Sequence, residues 1–469
     1  MKLVVRRISV LLAALYLIGS NNTQLVQAQI LISTPNKSSN SSLAQSPALL
    51  AQAAQTSDIQ RTLDRGKIAE AVLLIEHNWV KKFEAYFGRN FPKSPRTVEQ
   101  AADTLGKIAT QTGKKPALIY IVPQPQHLEL VLVTPEGEPI HKRISAANKE
   151  ALLQQVQEFT SSIVNPLRRN TNRYLPPAQQ LYQWMIAPLE AELEAQNIDT
   201  LLFCLGPGLR TMPVAALHDG QQFLVEKYSF ARIPAFNLID TNYAHLENSQ
   251  VLAMGASEFR EEASLPAVPV ELSTITEQLW QGESFLNQEF TLANLELQRQ
   301  QQPFKIIHLA THASFESGVP SNSYVQFWDK KLTLEQMKKL QWNNPSVELL
   351  VLSACKTAIG DEQAELGFAG LAVQTSVKSA IASLWNVSDE GTLALMTEFY
   401  RDLKTAPIKA EALRQAQLAL LNGQVSLIDG QLNSSRGSIP LPPALTKIEN
   451  QNFSHPYYWA AFTVVGSPW

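Results

Sequence analysis

Glu348-Leu349-Leu350-Val351-Leu352-Ser353-Ala354-Cys355-Lys356-Thr357 is the stretch whose reading decides the fold. Leu349 to Leu352 is a continuous apolar run, the pattern of a strand buried on both faces of a parallel sheet. The small residues Ser353 and Ala354 then deliver Cys355 to the end of that run. Upstream, Phe304-Lys305-Ile306-Ile307-His308-Leu309-Ala310-Thr311 reads as a second buried strand, and His312 follows it, 43 residues before Cys355. Between the two, Leu332 to Leu340 reads as a crossover helix with Leu332, Met337 and Leu340 on its apolar side. A strand-helix-strand unit puts both strands in one sheet with their C-terminal ends on one edge, where open α/β sheets keep their active sites. A cysteine and a histidine delivered to that edge are a candidate nucleophile and base.

The chain of 469 residues is long enough for two or three cores, and its 45% apolar and 17% charged content is that of a globular protein. A formal charge of −3 gives no basis for nucleic acid or an anionic membrane as partner. No Cys or His cluster has metal-ligand spacing, so no cofactor is expected. Residues 1–28 carry Lys2, Arg6 and Arg7 ahead of an apolar stretch from Ile8 to Gly19, with Val26-Gln27-Ala28 as a small-residue cleavage site. The apolar run is too short to span a bilayer, which predicts a secretory signal peptide and an exported chain, periplasmic or extracellular, with no membrane span after its removal. Without it, 36 basic residues face 42 acidic ones, a charge of −6. Cys204 and Cys355 are the only cysteines. Each stands at the end of its own predicted strand, and a disulfide between them is not expected although export would permit one.

Gln29 to Ser57, rich in Ser, Gln, Asn and Ala, reads as a flexible linker. From 58 to 115 the pattern is helical. Ile68, Val72, Ile75, Trp79, Phe83 and Tyr86 make one apolar stripe, and Thr97 with Gln100 makes a capping box for a helix bearing Val98, Ala101, Leu105 and Ile108. At Pro116 the period changes to that of an antiparallel meander over 117–122, 127–133 and 140–144, with turns at 123–126 and 135–138. Helices over 149–164 and 177–196 follow. A βα alternation then runs through strands at 200–205, 251–255, 304–311, 348–354, 378–384 and a last one at 457–465, with helices at 389–403 and 409–422. This is a mostly parallel α/β sheet flanked by helices, preceded by the meander and the short helical segment. The domains predicted are the leader (1–28), the linker (29–57), the helical segment (58–115), an N-terminal half (116–300) and a catalytic half (301–469). Gly423 to Asn452, polar and rich in turn residues, reads as a surface insertion.

His308-Leu309-Ala310-Thr311-His312-Ala313, Leu352-Ser353-Ala354-Cys355-Lys356-Thr357 and Ala382-Ser383-Leu384-Trp385-Asn386-Val387-Ser388-Asp389 together resemble the core of the CHAT domain, a caspase-like family related to caspases and separases. His455 to Phe462 is similar to that family's last strand, and Pro207 to Gly220 to its N-terminal half, so the likeness runs from about Pro116 to the end. The resemblance implies a cysteine peptidase with His312 and Cys355 as its dyad, of a bacterial, cyanobacterial-type member, acting on a peptide or protein. In separases an acid after the Leu-Trp motif recognises a basic side chain before the scissile bond, and the matching position here is Asp389, with Trp385 and Ala313 beside it as substrate-binding residues. Two departures bear on the pocket: Gln374 to Ser379 replaces a glycine-containing turn, and Lys356 stands where an acid is common. Family members often carry helical repeats ahead of the domain. Here the helical segment is short and is a candidate docking place for a protein activator.

The chemistry this predicts is acyl transfer: Cys355 attacks as thiolate, and His312 takes the thiol proton and returns it to the leaving amine. Backbone N–H groups at Cys355 and near Ala313 would suit an oxyanion hole, each such donor being worth about 3 kcal/mol in known enzymes. Plainer roles fit other residues. Cys204 and His308 read as core side chains, His218-Asp219 as a loop hydrogen bond, and Asp389 stands equally well in the cap region of the helix after it. Three functions follow: an exported endopeptidase cleaving after Arg or Lys; a silent CHAT-fold scaffold; and a latent enzyme released by a partner or by self-cleavage, with the Arg436-containing insertion as a processing loop.

Overall fold

The computed structural model describes residues 58–91, 96–168, 171–357, 360–434, 436–441, 443, 445 and 450–469, with backbone alone at 354–356. The predicted leader and linker lie outside the described residues. In chain order the strands are β1 (Pro116–Pro123), β2 (Leu128–Val133), β3 (Ile140–Ile144), β4 (Thr200–Leu205), β5 (Ser229–Ile233), β6 (Val251–Gly255), β7 (Gly282–Leu286), β8 (Ile306–Phe315), β9 (Tyr324–Gln326), β10 (Lys331–Thr333), β11 (Leu349–Thr357), β12 (Ser379–Ser383), β13 (Val425–Ile428), β14 (Gln431–Ser434), β15 (Gly437–Pro440), β16 (Gln451–Asn452) and β17 (Phe462–Gly466). Thirteen of them form one sheet.

That sheet has two parallel halves. In one, β7, β6, β8, β11 and β12 run side by side in the same direction. In the other, β17, β5, β4 and β1 do so, and β2 and β3 extend it as an antiparallel meander. The halves join where β17 lies antiparallel to β12, from Ser379 opposite Gly466 to Ser383 opposite Phe462. Gly466 has φ +95° and lies where a Cβ would be 2.7 Å from the Lys378 carbonyl, so the seam has room only for glycine there. Buried Arg232 pins it further, donating from Nε to Thr463 Oγ1 and from Nη1 to the Arg210 carbonyl.

The central strands are buried because helices cover both faces, and this is what their continuous apolar runs record. β4 is buried at all six positions, whereas in β8 the run of buried residues is broken only at His312. β3, at the sheet's margin, reads Ile-His-Lys-Arg-Ile and stays partly exposed, as an edge strand should. Helix Ile68–Phe87 buries Val72, Ile75, Trp79 and Phe83 of the predicted stripe, with Ile68 and Tyr86 half-buried, and its Glu76 is buried as well. That carboxylate accepts Tyr120 Oη at 2.8 Å and the Phe236 and Asn237 N–H groups at 2.8 and 2.9 Å, with burial pushing its pKa up. The capping box forms as read, with Thr97 N–H donating to Gln100 Oε1 and Gln100 N–H to Thr97 Oγ1.

Four local expectations change. The helix expected over 177–196 breaks at Pro188, which has no N–H to give, into Leu175–Met185, a 3-10 turn at Ala187–Leu189 and Glu190–Ala195. The crossover between β8 and β11 first forms the β9–β10 hairpin and only then a short helix, Leu334–Met337, with Thr333 as its N-cap. The last strand begins later than expected: His455 caps a helical turn, Pro456–Trp459, through Tyr457 N–H, and β17 follows it. The Gly423–Asn452 insertion contains its own sheet, in the order β15-β14-β13-β16. Its Arg436 is paired with Asp402 at 2.6 Å.

Candidate active site

β8 and β11 are longer than the strands beside them. β12 pairs with β11 only over Leu349–Val351, and β6 with β8 only over Ile306–Ala310. The two therefore run on together past β12 and β6, and this projecting ledge carries the residues singled out in the sequence. Between Leu352 and Ala354 the register shifts, a bulge that gives β8 one extra residue. Beyond it Ala354 lies opposite His312 and Cys355 opposite Ala313. The backbones of Cys355 and His312 thus stand on adjacent parallel strands, one register position apart. Ala313 is buried and is also opposite Val325 of β9.

His312 is half-buried and fixed by a loop that the sequence did not single out. Its Nε2 is 2.8 Å from the carbonyl oxygen of Ala263, and the Phe259 ring packs against the imidazole at a centroid distance of 4.6 Å. A carbonyl can only accept, so Nε2 must carry the hydrogen and the lone pair of the neutral ring belongs to Nδ1. The loop is itself well held. Ala256 N–H donates to Ala310, Ser257 N–H to Asn287 Oδ1, Leu265 N–H to Ser257, and Tyr324 Oη to Glu262 at 3.3 Å. Because the orienting group is a main-chain carbonyl, residue type gave no sign of it. The available signal was positional: the loop leaves the C-terminal end of a parallel strand, β6, on the same edge.

The far end of the same loop, at Ala267, meets Asp389. Ser388 is the N-cap of helix Asp389–Leu403, accepting Gly391 N–H, so the cap role weighed for Asp389 belongs to its neighbour. Asp389 is half-buried and accepts the N–H of Ala267, the residue that opens helix Val268–Ser273. Burial pushes its carboxyl up to about 7, against the Ala267 amide and with Glu271 and Glu390 adding to the rise. One loop therefore reaches His312 through a carbonyl and Asp389 through an amide. Trp385 is buried, with Nε1 donating to the Tyr457 carbonyl at 3.0 Å, which makes it a fixed wall of this region.

The residues given plainer roles fit them. Cys204 is a free, fully buried thiol, held neutral by burial and by nearby Glu76. His308 is buried between Glu271 and Tyr400. His218 Nδ1 accepts Gly220 N–H, and Asp219 accepts two backbone N–H groups and pairs with Lys227, which is turn chemistry. Cavities of about 460 and 500 Å³ line other parts of the fold and include neither His312 nor Asp389. Among the described residues no group of three His, Cys, Asp or Glu could hold a metal ion, and no helix is long and apolar enough to cross a membrane.

The model of the CHAT domain matches residues 175–467, most of the chain. The chain belongs to the CHAT-domain family. Its large, mostly parallel sheet is flanked by helices. Among solved structures it is similar to separase in the Saccharomyces cerevisiae separase–securin complex, at 10% identity and TM-score 0.47, over 86% of this chain and 34% of that one. The CHAT protein thus spans about a third of the separase chain. It is also similar to the Arg-specific cysteine proteinase gingipain R, at 10% identity and TM-score 0.36, over 68% of this chain and 74% of that one. A complex of Porphyromonas gingivalis RgpB pro- and mature domains matches at 11% identity and TM-score 0.38, over 75% and 78%. A search of curated proteins returned no match.

Proposed function

We propose that this CHAT-domain protein is an exported cysteine endopeptidase that cleaves after a basic residue. The observation that carries the reading is the pairing of Ala263 with His312: it fixes the proton on Nε2 and leaves Nδ1 as the base, on the strand next to Cys355. In the first step Nδ1 takes the Cys355 thiol proton as sulfur attacks the scissile carbonyl carbon. The resulting imidazolium is stabilised by the Ala263 carbonyl, which accepts from Nε2–H throughout. Collapse of the tetrahedral intermediate breaks the C–N bond, and Nδ1 protonates the departing amine. Water, deprotonated by the same nitrogen, then hydrolyses the thioester and restores the thiol. Backbone N–H groups near Ala313 and Cys355 are the candidates for holding the oxyanion. Asp389 meets the basic side chain of the substrate, with Trp385 as a wall of its pocket.

Latency has its own support. Helix Ile68–Phe87 packs on helix Glu362–Ala369, which follows β11 in the chain, and Lys82 pairs with Glu362 at 2.6 Å. A Cβ on Gly370 would fall 2.5 Å from the Phe87 ring, so the two helices touch at a glycine. A protein activator acting on the helical segment would have a short mechanical path to the nucleophile strand.

The test is hydrolysis of fluorogenic peptides with Arg, Lys, Asp or Leu before the reporter, using reduced protein lacking residues 1–28. Cleavage after Arg or Lys that disappears in Cys355→Ala supports the reading. No cleavage, with Cys355 also inert to a peptide electrophile, favours a scaffold, whereas silence with a reactive Cys355 favours latency. Export is tested separately by the mass of secreted protein, expected to begin at Gln29.

A further inference from the structure

Behind the site lie three buried titratable side chains that this chemistry leaves unused. Glu271 and His308 are 1% and 0% exposed, and Glu271 Oε1 is 2.9 Å from His308 Nε2. His308 Nδ1 is 3.1 Å from Tyr400 Oη, and the Tyr400 main-chain carbonyl accepts Trp280 Nε1–H. The three come from the elements that build the site. His308 precedes His312 by four residues on strand β8, Tyr400 lies on the helix that Asp389 begins, and Glu271 is in the helix whose N-cap amide, that of Ala267, holds Asp389. A carboxylate removed from water is costly unless paired, and an apolar trio of similar volume would hold the same elements together at less cost. The charge therefore asks for a role.

We propose that Glu271, 2.9 Å from His308 and in the helix whose Ala267 N-cap amide grips Asp389, is a positioning residue for substrate selection: it sets a second negative charge behind that carboxylate, so that the pocket accepts a guanidinium or ammonium side chain and discriminates against a neutral one. The proposal rests on the reading of Asp389 as the partner of a basic residue. The charged and titratable groups around it are few. Asp389 faces Glu271 from helix Val268–Ser273 and Glu390 from its own helix; Glu271 faces His308 from β8 and Tyr400 and Asp389 from helix Asp389–Leu403. With the pocket empty, burial and these like charges let Asp389 keep its proton up to about pH 7. An entering cation displaces that proton and leaves two carboxylates sharing one positive charge.

Equilibrium binding of benzamidinium to Cys355→Ala protein, followed by calorimetry between about pH 5 and 9, tests this without requiring turnover. Binding should strengthen as Asp389 ionises, and Glu271→Gln, which keeps the shape and removes the charge, should lower the midpoint of that rise by about half to one pH unit. Glu271→Asp should restore the original midpoint. Should Glu271→Gln not fold, Glu271→Met, apolar and of similar volume, should give the same downward shift. An unchanged midpoint in the folded variant overturns the role of Glu271 while leaving Asp389 in place. Absence of binding by the parent, or binding indifferent to Asp389→Asn, overturns the Asp389 reading and this proposal with it.

Discussion

Each half of the large sheet holds a cysteine in a buried parallel strand and a carboxylate that accepts main-chain N–H groups. In the N-terminal half these are Cys204 of β4 and Glu76, and in the C-terminal half Cys355 of β11 and Asp389. The first pair is sealed. Cys204 is fully buried with its thiol pushed well up, and Glu76 has three donors and no exposure to speak of. The C-terminal half is more open at this edge. β11 and β8 outrun β12 and β6, His312 is half-buried on the ledge, and Asp389 accepts from one backbone amide and remains partly accessible. The comparison teaches that a strand-end cysteine or a buried acid becomes a candidate for chemistry through what is left unsatisfied beside it. Residue type alone does not decide the matter.

Substitutions should separate the two halves sharply. His312→Ala should lower kcat for peptide cleavage by about a thousandfold or more while folding is retained, whereas Cys204→Ser should leave kcat/KM unchanged. Glu76→Ala leaves Tyr120 Oη and two N–H groups unpaired in the core, and chemical denaturation should show a loss of about 3 kcal/mol, with activity per folded molecule intact. Asp389→Asn should behave in the opposite way. KM for an Arg substrate should rise about a hundredfold, and little stability should be lost because the amide oxygen still accepts Ala267 N–H.

The acid in the open half also predicts a pH effect of known sign. The unfolded chain releases the Asp389 proton near 3.8, and the folded protein holds it up to about 7. The native state binds more protons in that window, so Asp389 favours folding at low pH and this contribution is lost as pH rises through 7. Thermal unfolding of Asp389→Asn should therefore show a Tm raised by about 1–2 °C at pH 8 and unchanged at pH 4. A Tm gain of equal size at both values would contradict the assignment. This is the smallest of the expected effects.

What was legible in the sequence follows from the same physics. β4, β6, β8 and β11 announce themselves because strands covered on both faces need apolar residues at every position. β5, β7, β9 and β10 do not: Ser-Phe-Ala-Arg-Ile and Gly-Glu-Ser-Phe-Leu have no run, and the hairpin strands are three residues long. The segment around Tyr457 and Trp459 is apolar enough for either strand or helix, and the His455-Pro456 cap decides it. At the site, the strand that carries His312 and the helix that Asp389 opens could be read, although β8 runs on to Phe315 and so holds His312 within the strand rather than after it. The partners of His312 and Asp389 could not, since Ala263 and Ala267 act through backbone groups that any residue would supply.

The central claim is that His312, with Nε2 tied to Ala263, serves Cys355 as a base. It is tested most directly by the pH dependence of Cys355 alkylation with iodoacetamide, in a Cys204→Ser background, with and without His312→Ala. Cys355 should react as a thiolate well below the ordinary thiol range around pH 8.5, and His312→Ala should move the titration back to that range. Coincident titrations near the ordinary value in both proteins would contradict the account.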